Sequence, residues 1–140
     1  MESEPGENNG CGRKILLADP CADYRELVSR YLGILNYPAP IHAEDGEEAL
    51  SKALSERPDL IVMEVRLPKL NGFEIVARLR RDPRTRDARI LAATAMAMPG
   101  DRNKCLAGGF DAYLAKPFTL KQLKRILQSR SATEYPFPAY

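Results

Sequence analysis

Residues 58–74 read PDLIVMEVRLPKLNGFE. The stretch from Asp59 to Glu64 is the most continuous apolar run of the chain, and a carboxylate closes it. A run without polar alternation suits a strand buried on both faces, near the middle of a parallel sheet. The loop RLPKLNG follows. Asn71 then stands where a helix N-cap accepts from the first turn, with Phe73, Val76 and Leu79 at helical spacing behind it. Strand, loop and helix in that order are the repeating part of a βα architecture.

The same alternation continues in both directions. Upstream, Lys14 to Ala18 reads as a first strand, and Leu27, Val28, Tyr31, Leu32 and Leu35 recur as the inner stripe of a first helix. Pro38 and Pro40 flank a weak second strand around Ile41 and Ala43. Proline cannot donate to a ladder, so that strand belongs at a sheet edge. Asp45 caps a second helix with Ala49, Leu50, Ala53 and Leu54 inward. Downstream, Arg89 to Ala93 is a fourth strand. Pro99 suits the first turn of a fourth helix, which Gly108 and Gly109 end. Asp111 to Ala115 is a fifth strand. Thr119 with Gln122 forms a capping box for a last helix, with Leu120, Leu123, Ile126 and Leu127 inward. Five βα units without a repeat or a second domain predict a doubly wound α/β fold.

Composition agrees with one such domain of 140 residues, with 44% hydrophobic and 29% charged residues. The net charge of +2 is too small to imply nucleic-acid binding by itself. No apolar run approaches the roughly 18 residues of a membrane span. The opening MESEPGENNG lacks the basic start and apolar centre of a signal peptide. Cys11, Cys21 and Cys105 have neither metal-type nor disulfide-type spacing, so a cytoplasmic location is expected. Residues 1–12 read as a disordered lead-in, 13–129 as the domain, and 130–140, ending EYPFPAY, as a flexible tail of prolines and aromatics.

Four strands end on polar or charged residues: Asp19 in KILLAD, Glu64 in DLIVME, Thr94 in ARILAAT and Lys116 in DAYLAK. Parallel strands bring their carboxyl ends to one edge, where ligands and chemistry gather. Two acids, a hydroxyl and an ammonium are therefore expected in one pocket.

In order and spacing, the segments KILLADPCADYRELV, DGEEAL, PDLIVMEVRLPKLNGFE and ILAATAMAMPGDRNKCLAGGFDAYLAKPF closely resemble the receiver domain of two-component response regulators, from about Lys14 to Gln128. The resemblance implies a flavodoxin-like (CheY-like) five-stranded parallel sheet in the order 2-1-3-4-5, with helices on both faces. In that family two adjacent acids after the first strand and an aspartate ending the third hold magnesium, and the aspartate accepts a phosphoryl group. A threonine or serine and a lysine contact the phosphate. Asp19, Thr94 and Lys116 match, Tyr113 matches an aromatic that moves with the threonine, and Pro117 is the candidate for a cis peptide.

Two positions depart. The second acid is Pro20, and the phosphoacceptor position holds Glu64. Proline supplies no ligand and restricts Asp19 to extended backbone shapes. A lost unit charge about 4 Å from the ion is worth roughly 4 kcal/mol at an effective dielectric near 20. Millimolar binding amounts to about 4.1 kcal/mol in all. Magnesium on Asp19, Glu64 and the Arg66 main-chain carbonyl is thus expected to be weak or absent, and no cofactor is expected. Glutamate reaches roughly 1.5 Å further than aspartate, and roughly 1 Å of misplacement costs in-line transfer about a hundredfold. Its charge is then expected near where a phosphate would lie, facing Lys116 and Thr94, either as a partial mimic of the phosphorylated state or in a degenerate pocket kept only as a scaffold, with Arg66 placed to swing in and neutralise the remaining negative excess.

The leading reading is a stand-alone atypical receiver that works by protein–protein interaction without phosphorylation and is not an enzyme. Its partner, a histidine kinase or downstream effector, would dock on the face of helix four, strand five and helix five, as the resemblance implies, with the receiver a monomer or weak dimer. A second reading is a conventional magnesium-dependent phosphoacceptor using Glu64. A third is a small nucleic-acid-binding regulator using the arginines between Arg78 and Arg89, although Asp82 and Asp87 interrupt them. Cys21 at the pocket rim and the lone His42 read as ordinary structural residues.

Overall fold

A computed structural model describes residues 13–129; the expected lead-in, 1–12, and the expected tail, 130–140, lie outside the described residues. Strands and helices alternate as β1 Ile15–Ala18, α1 Ala22–Ile34, β2 Ile41–Ala43, α2 Gly46–Glu56, β3 Leu60–Met63, α3 Gly72–Arg81, β4 Arg89–Thr94, α4 Asp101–Ala107, β5 Ala112–Ala115 and α5 Leu120–Gln128. All neighbouring strands pair in parallel, in the order β2-β1-β3-β4-β5. The strand flanked by prolines is indeed at the edge, and the apolar run of residues 60–63 is central.

Alternation along each strand splits the core between two faces. Leu16, Ala18, Ile61, Met63, Ile90 and Ala92 pack with Ala49 and Ala53 of α2, Ile75, Val76 and Leu79 of α3, and Cys105 of α4. Ile15, Leu17, Leu60, Val62, Leu91 and Ala93 pack with Val28 and Leu32 of α1 and with Leu123, Ile126 and Leu127 of α5. β1, β3 and most of β4 are buried on both faces, which is why they read as unbroken apolar runs.

Three predicted caps are present. The Asp45 carboxylate accepts from the Glu48 N–H at 2.8 Å. Asn71 with Glu74, and Thr119 with Gln122, each form a full capping box. At α2, close packing excludes any side chain at Gly46, because a Cβ there would lie 1.8 Å from the Leu70 carbonyl oxygen. One expectation is corrected. Pro99 precedes the fourth helix, which starts at Asp101 after Gly100 turns the chain at φ 92°. The Asp101 carboxylate accepts from the Met98 N–H at 2.9 Å, and this local bond closes the turn that keeps Pro99 outside the helix.

Candidate functional site

Asp19, Glu64, Thr94 and Lys116 meet at the carboxyl edge because the ladders continue one residue past the strands. The Glu64 N–H donates to the Ala18 carbonyl at 2.9 Å, and the Lys116 N–H donates to the Thr94 carbonyl at 2.9 Å. The Asp19 N–H donates to the Ala43 carbonyl at 3.0 Å. Each of the five helices follows its strand, so their N-termini, with the positive potential of the helix dipole, also open toward this edge.

Lys116 is the centre of the site. Its ammonium donates to Asp19 Oδ2 at 2.6 Å and to Glu64 Oε1 at 3.0 Å. The Glu64 carboxylate has all four acceptor sites engaged. Oε1 takes the Lys116 ammonium and the Ala95 N–H at 3.1 Å. Oε2 takes the Arg66 N–H at 3.0 Å and the Thr94 hydroxyl. Asp19 Oδ1 takes the Cys21 N–H at 2.9 Å. Asp19, Glu64 and Thr94 are all buried.

Burial alone pushes the Glu64 pKa up, but the bonds from the Arg66 N–H, Thr94 and Lys116 outweigh it, and the net direction is down. Burial likewise pulls the Lys116 pKa down, while its bonds to Asp19 and Glu64 raise it, and the net direction is up. Each partner favours the charged form of the other. Two carboxylates nevertheless share one ammonium, leaving an excess negative charge.

A hydrogen-bonded line leaves the pocket. The Thr94 hydroxyl oxygen accepts from the Met96 N–H at 3.0 Å, and the Met96 carbonyl accepts from the Tyr113 hydroxyl. Tyr113 itself is buried in β5. The Lys116–Pro117 peptide is cis. Pro20 is exposed at the rim and brings no donor or acceptor side chain to the pocket.

Magnesium asks for a near-octahedral set of oxygen ligands at about 2.0–2.1 Å. Both oxygens of each carboxylate here already accept from protein donors, and an ammonium lies between the two acids. Among the described residues no group of three or more His, Cys, Asp or Glu is arranged to hold a metal ion. The residues present do not fit that ion.

Several sequence expectations separate at this point. The Arg66 side chain is exposed and does not swing into the pocket; its backbone N–H contributes instead. Tyr24 and Arg25 of α1 were missed. The Tyr24 ring centroid lies 4.2 Å from the Lys116 ammonium, and Arg25 donates to the Asp19 carbonyl at 2.6 Å. The arginines of residues 78–89 are mostly engaged within the fold. Arg80 binds Asp111 and three carbonyls, Arg84 pairs with Asp82, and Arg89 donates to the Ile126 and Leu127 carbonyls. His42 contacts the Ser29 hydroxyl at 3.3 Å, and burial lowers its pKa, helped by Arg25 and Lys52. Cys21 is an exposed free thiol at the start of α1. No helix among the described residues is long and apolar enough to cross a membrane.

Comparison with known proteins gives a consistent result. The family model of the response regulator receiver domain matches residues 15–128. A probable transcriptional regulator, ycf27 of Porphyridium aerugineum, is 38% identical over 116 residues, covering 83% of this chain and 47% of that protein. The polar-differentiation response regulator DivK of Brucella anthropi is 37% identical over 89 residues, covering 64% of this chain and 72% of its own. The receiver domain of the sensor histidine kinase PA1611 of Pseudomonas aeruginosa PAO1, solved with a magnesium ion in its active-site cleft, superposes with a TM-score of 0.75. It is 37% identical and covers 83% of this chain and 94% of that one. The chain spans about half the length of several of the curated relatives it matches, ycf27 among them.

Proposed function

The chain belongs to the response regulator receiver domain family, and is a receiver domain of two-component signalling; from that premise we propose that it signals by binding protein partners, with Glu64 as a fixed acid in place of a transferable phosphoryl group. The observation that carries the reading is the saturated Glu64 carboxylate, held by the Thr94 hydroxyl, the Lys116 ammonium and the backbone N–H groups of Arg66 and Ala95. Threonine and lysine are the side chains expected to meet phosphoryl oxygens, and here a carboxylate already occupies them. It supplies one negative charge where a phosphoryl group carries roughly −1.5 to −2.

The line from Glu64 through Thr94 and Met96 to Tyr113 supports a route by which this fixed charge sets the surface. Tyr113 lies in β5, beside α4 and α5, the face on which a histidine kinase or downstream effector would dock. Lys121, Lys124 and Arg125 are exposed on α5 and favour an acidic partner surface. Such a receiver is a binding module, with no bond made or broken on its own residues. The nucleic-acid reading loses support because the arginines it needs are largely engaged within the fold.

The test is phosphorylation by acetyl phosphate with magnesium, followed by intact mass. The protein and its Glu64→Asp variant are expected to gain no phosphoryl group, because Pro20 still withholds the second acid. Pro20→Asp combined with Glu64→Asp is expected to gain one. Efficient labelling of the unmodified chain would overturn the proposal in favour of a conventional phosphoacceptor.

A further inference from the structure

We propose that Tyr24 is a positioning residue that roofs the Lys116 ammonium, commits it to Asp19 and Glu64, and keeps it closed to incoming anions such as inorganic phosphate. The inference deepens the reading above and rests on Lys116–Glu64 being the working contact of the pocket.

The geometry is built from α1 and the segment after β5. Lys116 directs its donors at two carboxylates, 2.6 Å and 3.0 Å away, and the Tyr24 ring covers the same ammonium at 4.2 Å from its centroid. The lysine side chain keeps only 13% of its exposure. An aromatic face carries negative electrostatic potential, so it attracts an ammonium and repels an anion approaching the same spot. The ring is itself held. Phe118 packs against it at 5.7 Å, edge to face, and Tyr31, seven residues further along α1, packs on Phe118 at 6.4 Å. Phe118 is buried and lies two residues after Lys116, so the roof and the lysine share one support. The connection from β1 to α1 is fixed as well. The Cys21 N–H binds Asp19 Oδ1, and Arg25 binds the Asp19 carbonyl, which sets the first turn of α1 against the acid that Lys116 pairs with.

The experiment uses the intact chain with Tyr24→Phe and Tyr24→Leu, each checked for folding by circular dichroism and thermal unfolding. The first readout is acylation of individual lysines by an amine-reactive reagent, measured by peptide mass spectrometry. Tyr24→Leu should raise labelling of Lys116 about three- to tenfold, the factor that a partly desolvated cation–π contact represents. The exposed Lys121 and Lys124 serve as unchanged references. Tyr24→Phe keeps the ring face and should stay near the parent value. The second readout is a titration with inorganic phosphate followed by backbone amide signals: Thr94 and Ala95 should shift in the leucine variant and not in the parent. Should Tyr24→Leu fail to fold, Tyr24→Met carries the same expectation with a longer apolar side chain. Unchanged Lys116 labelling in the folded leucine or methionine variant overturns the proposal, as does equal labelling of the phenylalanine and leucine variants. Neither outcome depends on whether Glu64 accepts a phosphoryl group, so the two proposals fail separately.

Discussion

At each end of the sheet one cation ties several elements together, and the two ties are built differently. At the amino end, Arg80 of α3 reaches the carbonyls of Gly109, Arg86 and Ala88 at 2.7–3.1 Å and the Asp111 carboxylate at 2.7 Å. One positive charge meets one negative charge, and neutral carbonyls take the remaining donors. At the carboxyl end, Lys116 is shared by two buried acids, and backbone N–H groups and a hydroxyl absorb what the ammonium leaves over. Balanced charge is enough to hold a fold together. An uncompensated, desolvated charge surrounded by aimed donors is the arrangement found where a protein handles charge as its work.

The largest test of this contrast is removal of each cation in turn. Lys116→Met leaves two buried carboxylates without their counter-charge, a change that costs about 3–5 kcal/mol. Arg80→Met should cost less, about 2 kcal/mol, since the deleted bonds are mainly to neutral carbonyls. The Asp111 carboxylate is 43% exposed and still accepts from the Ile90 N–H. Urea unfolding at pH 7 measures both. A larger loss at Arg80 would break the comparison.

A smaller effect sharpens it through pH. The folded-state pKa of Glu64 lies below its ordinary 4.5, through the net gain of the bonds from Arg66, Thr94 and Lys116 over burial. Its contribution is therefore fully present above pH 4.5 and is lost as pH falls through the lower folded value. Lys116 is shifted the other way, above its ordinary 10.5, so its contribution is present below pH 10.5 and is lost as pH rises through the higher folded value. Stability is expected to hold between these limits and to decline outside them. Glu64→Gln should flatten the acid decline, read as unfolding midpoints from pH 7 to pH 3. An acid limb unchanged by Glu64→Gln would remove Glu64 as its source.

Why the pocket was legible and parts of its lining were not follows from where the donors come from. Asp19, Glu64, Thr94 and Lys116 each close an apolar run, and parallel pairing leaves them no other place to meet. The two prolines around β2 and the caps at Asp45, Asn71 and Thr119 were legible for the same reason, because backbone chemistry ties those residue types to those positions. The N–H groups of Arg66 and Ala95 have no signature, since every residue but proline carries one. The exposed Arg66 side chain follows from the same loop: once its N–H turns in to Glu64, its guanidinium remains in solvent. Tyr24 was hidden because its place over Lys116 depends on how α1 packs against Phe118, across most of the chain. The available clue was the seven-residue spacing of Tyr24 and Tyr31, which puts both rings on one helix face.

The smallest expected effect separates fold-making polar contacts from pocket contacts. Thr119 caps α5, accepting from the Gln122 N–H at 3.1 Å, while Gln122 accepts from the Thr119 N–H at 2.8 Å. Thr119→Ala should cost about 1 kcal/mol, the usual worth of such a cap. Neither Thr119 nor Gln122 titrates, so the loss should be the same at pH 7 and at pH 4. Thr119 lies three residues after Lys116, however, and the cap helps place the segment that carries both Lys116 and Phe118. A loss that changes with pH would mean the cap also sets the lysine against its two acids, and the boundary between the stabilising part of this edge and the charged pocket would then move outward to include the start of α5.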